Sequence, residues 1–170
     1  MVKQMEGKTT YQERALRTLS QKVATHTVSA KRWDSFRHLL FGVSEMADDL
    51  KRDIFYGLGE PQPGYKMMPP MSTHEAYMYH AILGIISELG ELYDSVLMRD
   101  RLNTIEELGD LEWYLALARK AVSTTQDEVQ EANINKLMKR FPEKFNENHV
   151  VHRDLDAERD AISMVMNAQK

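Results

Sequence analysis

Two short stretches place paired acids where a helix would present them together. SELGE at 87–91 and EELGD at 106–110 each carry two carboxylates three residues apart, Glu88 with Glu91 and Glu107 with Asp110. In each, a glycine stands just before the second acid. Residues i, i+3 and i+7 of a helix share a face. Gly84, Glu88, Glu91 and Ser95 therefore line up on one helix, and Glu107, Asp110, Tyr114 and Leu117 on the next. Both lines run on the shoulder of an apolar stripe, not on the outward face where solvated charge belongs. If the two helices are antiparallel neighbours, four carboxylates converge. Such a cluster repels itself and raises its own carboxyl pKa values. A hard divalent cation such as Mg²⁺, which takes oxygen ligands and keeps water positions open for phosphates, resolves that conflict. Each helical glycine costs roughly 1 kcal/mol relative to alanine, and its bare backbone would let another helix or a ligand approach.

The competing reading is that these are ordinary solvated surface acids, since single pairs at this spacing are common. Glu107 also has a rival duty. Thr104 and Glu107 fit a capping box, whereas a cap at Asn103 would give that role to Glu106 and leave Glu107 free. Asn133, Lys136 and Arg140, spaced three and four, form a third constellation beside Ile134, Leu137 and Phe141. An amide, an ammonium and a guanidinium on one strip can grip phosphate oxygens and a base or sugar edge. Taken alone, the strip reads as a solvated basic face near a helix C-terminus, which the helix dipole favours. Beside a four-acid cluster, the binding role is the better reading.

Helices must position these groups, and nearly every long segment carries helical period with no alternating strand run. Thr10 and Glu13 read as a capping box for a first helix with Ala15, Leu16, Leu19 and Val23 inward. A second helix starts near Ala30, carries the stripe Phe36, Leu40, Val43, Ala47, Leu50 and Ile54, and stops at Gly57. GLGEPQPGYKMMPPMS, 57–72, is a Pro/Gly-rich loop or mobile flap. Ser72 and Glu75 cap a helix with Met78, Ile82, Ile85, Leu89, Leu92 and Val96 inward. Asn103 can cap the next, with Leu108, Leu111, Leu115, Ala118 and Val122 inward. Thr125 and Glu128 cap another that ends at Pro142, and a last amphipathic piece runs from about Leu155 to Met166. The expectation is an all-α antiparallel helical bundle whose exposed seams suit self-association.

The chain has 170 residues, a net charge of −4 and no cysteine. That length fits one domain over 1–170, with 150–170 as a C-terminal helical extension. Mild acidity gives no electrostatic reason to expect a nucleic-acid or anionic-membrane partner. The absence of thiols excludes disulfide and thiolate chemistry and fits a reducing compartment. The polar start has no apolar signal core and no apolar run approaches a membrane span, so a cytoplasmic protein is expected. No Glu-x-x-His pair supports a ferritin-like di-iron site. His149 and His152 read as surface or capping residues, and Trp33, Trp113 and the methionines as core and interface filling. Trp113 or Tyr114 could stack on a base, but both follow a core stripe, which makes core the better reading.

The order ExxE (88–91), ExxD (107–110) and NxxKxxxRFP (133–142) resembles the MazG-like all-α nucleoside triphosphate pyrophosphohydrolases. EELGDLEWYLALA (106–118) and EANINKLMKRFPEKF (131–145) are especially similar in style. YQERALRT near the start and HRDLDAERDAI (152–162) resemble the phage and bacterial MazG-like branch. The resemblance implies a homodimer or homotetramer that cleaves a (deoxy)nucleoside triphosphate to the monophosphate and pyrophosphate. It implies Mg²⁺, replaceable by Mn²⁺, on Glu88, Glu91, Glu107 and Asp110, with Glu88 or Glu91 orienting the attacking water. Asn133, Lys136 and Arg140 would hold the nucleotide, and a dGTP/GTP-preferring phage type is among the substrate classes implied. Segment 45–57, EMADDLKRDIFYG, also resembles the family's stretch that begins at the second acid of ExxE. Gly42 stands where the first acid would be, so that helix lacks a full ExxE. Either it is a related helix without the metal role, or Glu45 and Asp48 contribute to the site and the 88–91 pair is partly structural; the short separation to the following ExxD favours Glu88 and Glu91. The alternative from another class is a non-catalytic helical interaction protein with solvated acids.

Overall fold

The computed structural model describes residues 9–61 and 63–168, and every regular element among them is helical. The helices are α1 (Tyr11–Leu16), α2 (Ala30–Phe55), α3 (Thr73–Met98), α4 (Arg101–Ala121), α5 (Gln126–Arg140), α6 (Glu147–Val151) and α7 (Leu155–Asn167). The polar start over 1–8 lies outside the described residues. Local chemistry sets most of the boundaries. Reciprocal capping boxes form at Thr10–Glu13, Ser72–Glu75 and Thr125–Glu128, each satisfying backbone donors that the first turn leaves free. α2 ends where Gly57 takes a left-handed backbone, φ 67°. The segment 57–72 between α2 and α3 contains no helix among its described residues.

The chain divides into two compact units, one holding α1, α5, α6 and α7 and the other holding α2, α3 and α4. In the first, α1 and α7 pack on α5, whose Ile134 is fully buried, and Phe141, which follows the helix, is buried too. α1 is shorter than its apolar spacing suggests. Thr18 folds its hydroxyl onto the Ala15 carbonyl at 2.8 Å, and Arg17 donates to the carbonyls of Phe141 and Glu143 at 2.9 and 2.7 Å. These bonds fix the chain in a non-helical course, leaving Leu19 and Val23 exposed where they were expected inward.

In the second unit α3 packs against both α2 and α4. The corner between α3 and α4 is a single step. Arg99 adopts a left-handed backbone at φ 56°, and the Asp100 N–H closes back on the Ser95 carbonyl at 2.9 Å. Asp100 then caps α4 itself, its carboxylate accepting from the N–H groups of Leu102 and Asn103 at 3.0 and 3.1 Å. Asn103, expected as the cap, lies in the first turn instead, and both Glu106 and Glu107 are free of capping duty.

The inward faces differ most from expectation. α2 buries Ser44, Ala47 and Lys51; α3 buries Ala81, Gly84, Ser87, Glu88, Gly90 and Ser95; α4 buries Glu107, Tyr114 and Ala121. Small residues dominate because the backbones approach closely. A Cβ on Gly84 would overlap the Tyr114 ring, and one on Gly90 would overlap the Ser44 side chain. The large apolar residues expected inside, Phe36, Val43 and Leu50 on α2, Ile82, Leu89 and Val96 on α3, Leu108 and Leu115 on α4 and Val122 at its C-terminal cap, are exposed.

Candidate metal and nucleotide site

The tight corner brings the two acid pairs to one level. At about 1.5 Å rise per residue, Glu88 lies roughly 18 Å below Asp100 on α3 and Asp110 roughly 15 Å below it on α4. Glu88, Glu107 and Asp110 each offer a carboxylate oxygen within 4.8 Å of the others, with Glu88 and Glu107 buried and Asp110 exposed. Glu107 is only 4% exposed. Burial, then the charges of Glu91, Glu88, Asp110 and Glu106, push its carboxyl up to about 7. Glu91 is exposed and does not join the close group of three. It still feels the cluster: partial desolvation by its neighbours and then the Glu88 charge raise its pKa, with Lys51 partly relieving them.

Lys51 of α2 is the participant that sequence reading missed. It is 5% exposed, and its ammonium donates to Ser87 Oγ at 2.9 Å and Glu88 Oε1 at 3.4 Å and pairs with Asp48 Oδ1 at 3.1 Å. The Tyr114 ring lies beside it, with the centroid 5.4 Å from Nζ. Burial opposes the ammonium charge, but Asp48, Tyr114 and Glu88 more than offset that and hold its pKa above the ordinary lysine value. Asp48 thus reaches the site through Lys51, whereas Glu45 is exposed. The signal in the sequence was a lysine on the line Ser44, Ala47, Lys51, otherwise made of small residues.

A cavity of ≈ 330 Å³ opens beside the acids, lined by Tyr56, Glu88, Asp110, Trp113 and Tyr114. Trp113, expected in the core, is 54% exposed, and Tyr56 is exposed beside the same cavity. Behind them His80 stacks on Phe55 with ring centroids 4.4 Å apart. Burial and then the Lys51 charge lower the His80 pKa, which favours the neutral ring. The cavity therefore joins an anionic edge to flat aromatic surfaces.

The acids and the cavity are built from α2, α3 and α4, within one compact unit. Residues 73–145 match the family model of the MazG nucleotide pyrophosphohydrolase domain. Over those residues the chain is similar to a MazG domain. The match takes in both acid pairs and the 133–140 strip, and leaves α2, with Lys51 and Asp48, and α7 outside it. No curated protein and no solved structure matches the chain.

Asn133, Lys136 and Arg140 lie on α5, in the other compact unit, and all three are half-buried. The side chains of Asn133 and Lys136 make no hydrogen bond or ion pair among the described residues. Arg140 is already engaged. Its Nε and Nη2 donate to the two carboxylate oxygens of Glu158 on α7 at 2.9 and 2.6 Å, and Arg153 adds bonds at 3.3 and 2.7 Å. Arg140 first, then Arg153, hold the buried Glu158 carboxyl down at about 2. The short helix α6, unforeseen in the sequence, carries His149, and His152 stands exposed at its end.

Proposed function

We propose that this protein hydrolyses a (deoxy)nucleoside triphosphate to the nucleoside monophosphate and pyrophosphate, using a divalent ion held by Glu88, Glu91, Glu107 and Asp110. The observation that carries this reading is the meeting of Glu88, Glu107 and Asp110 within 4.8 Å, inside the MazG match and beside a cavity with aromatic walls. The donor set fits Mg²⁺, with Mn²⁺ substituting: hard carboxylate oxygens, one of them on the exposed Asp110, and no sulfur or imidazole. Such an ion, when bound, supplies charge neutralisation for the polyphosphate, an activated water and stabilisation of the leaving pyrophosphate. Glu91, exposed at the edge of the group, is suited to orient that water as its hydrogen-bond acceptor, with Glu88 as the other candidate.

In this reading the base stacks on Tyr56 or Trp113, whose rings border the cavity. Asn133, Lys136 and Arg140 hold the nucleotide, Lys136 with its ammonium uncommitted and Arg140 shared with Glu158. The functional protein is a single MazG-like domain over 1–170 acting as a homodimer or homotetramer in the cytoplasm. Among the described residues no helix is long and apolar enough to cross a membrane. A general house-cleaning range, a dUTP- or dCTP-preferring type and a dGTP/GTP-preferring phage type are all substrate classes to try.

The test is pyrophosphate release from a panel of NTPs and dNTPs with Mg²⁺ and with EDTA. Release that needs the metal, and that falls at least about a hundredfold in the Glu107→Gln, Asp110→Asn double variant, is the expected result. A folded protein that releases no pyrophosphate from any nucleotide would sink the reading and leave the acids as a helical interaction surface.

A further inference from the structure

Carboxylates gathered as closely as Glu88, Glu107 and Asp110 need a counter-charge before any metal arrives, and among the described residues Lys51 supplies it. Lysine is almost never buried unless it is paired. Here the ammonium has three protons and three acceptors: Ser87 Oγ at 2.9 Å, Asp48 Oδ1 at 3.1 Å and Glu88 Oε1 at 3.4 Å. Ser87 is itself fixed, donating to the Gly84 carbonyl at 2.9 Å. The pairing is one-sided. Within 4.0 Å the ammonium forms ion pairs with Asp48 and Glu88 only, and the Glu107–Asp110 end has no cation of its own among the described residues.

We propose that Lys51 is a resident cation of the acid cluster. It is a positioning residue that neutralises the Glu88 end of the site in the metal-free chain and, by staying there, weakens the hold on a divalent ion at the Glu107–Asp110 end. This rests on the metal-site reading above and adds to it how the cluster is held together before metal binds. A fixed positive charge stabilises the empty cluster and repels an incoming cation. Its removal must therefore move metal-free stability and metal affinity in opposite directions. A residue needed only for packing would move both the same way.

The experiment compares wild type, Lys51→Met and Lys51→Arg by thermal unfolding with and without Mn²⁺, and by Mn²⁺ titration with the free ion read by electron paramagnetic resonance. Lys51→Met is expected to melt lower than wild type without metal, to bind Mn²⁺ about tenfold tighter, and to gain more in Tm from saturating Mn²⁺. Lys51→Arg, which keeps the charge, should stay closer to wild type in all three. Should Lys51→Met fold only in the presence of Mn²⁺, the proposal is supported in its strongest form. Equal or weaker Mn²⁺ binding by Lys51→Met overturns it, as does failure of that variant to fold with and without Mn²⁺. Wild type that binds no Mn²⁺ would instead overturn the metal-site reading itself, a result that the Lys51 comparison cannot mimic.

Discussion

Glu158 sits between two guanidinium groups and is 4% exposed. A carboxylate in that position is charged because Arg140 and Arg153 keep it so, and its removal strands the cations. Glu158→Gln should therefore lower stability by about 3 kcal/mol at pH 7, read by denaturant unfolding. The pH dependence has a definite sign. The folded carboxyl titrates at about 2, below its ordinary value of 4.5, so the pairing stabilises fully above that ordinary value and is lost as pH falls towards 2. The gap between wild type and Glu158→Gln should close across that window, and a gap that stays constant down to pH 2 would contradict the pairing. The same geometry separates the roles of the α5 residues. Lys136 has no partner among the described residues, so Lys136→Ala should raise KM for the nucleotide about tenfold with little change in Tm. An equal KM in the two proteins would remove Lys136 from the binding set.

The glycines of the two acid stretches look alike in sequence and differ once the helices are assembled. Gly90 faces Ser44 of α2, while Gly109 has open space around it. Gly84, one turn before Glu88, lies under the Tyr114 ring. Gly84→Ala and Gly90→Ala must push helices apart and are each expected to cost about 2 kcal/mol in urea unfolding. Gly109→Ala should gain up to about 1 kcal/mol from helix propensity. If all three changed stability alike, close helix approach would not be what these glycines serve. Caps and stops were legible beforehand because their chemistry is local: Thr10, Ser72 and Thr125 each bond within their own first turn, and Gly57 ends α2 by its own backbone freedom. The convergence of Glu88, Glu107 and Asp110 was legible too, since helical period and an antiparallel corner suffice to predict it. What the sequence hid was which of two adjacent lines on each helix turns inward. Ile82, Leu89 and Val96 are the more apolar line of α3, yet Ala81, Gly84, Ser87 and Ser95 are the buried one. Lys51 was hidden for the same reason, because a lysine three residues from an aspartate on a helix is ordinarily a solvated pair. Asp100 was hidden because a non-glycine residue, Arg99, ends α3 in the left-handed conformation usually left to glycine.

The α2–α4 unit, taken as a whole, wears its apolar residues on the outside. Phe36, Val43 and Leu50, then Ile82, Leu89 and Val96, then Leu108, Leu115 and Val122, are each spaced by seven and each exposed. A spacing of seven keeps one line of a helix against a partner helix, as in bundles whose helices cross at a shallow angle. Full burial of one such side chain is worth about 1.5–3 kcal/mol, so nine of them left in water are a large driving force for association. Their own interior, built on alanine, glycine and serine, offers little to compensate. The expected partner is a second copy of this chain, because three helices present the same kind of seam and a self-complementary face closes symmetrically. Light scattering at micromolar concentration should then give a mass that is a multiple of the 19.7 kDa protomer. Leu89→Glu, placing a charge in the middle of the α3 line, should shift the protein towards the protomer mass and lower its Tm by several degrees. Glu45→Gln, an exposed change near the α2 line that adds no charge, should leave the assembly unaltered. A wild-type protein that scatters as a single protomer at every soluble concentration would mean that these seams are covered by something other than a second copy.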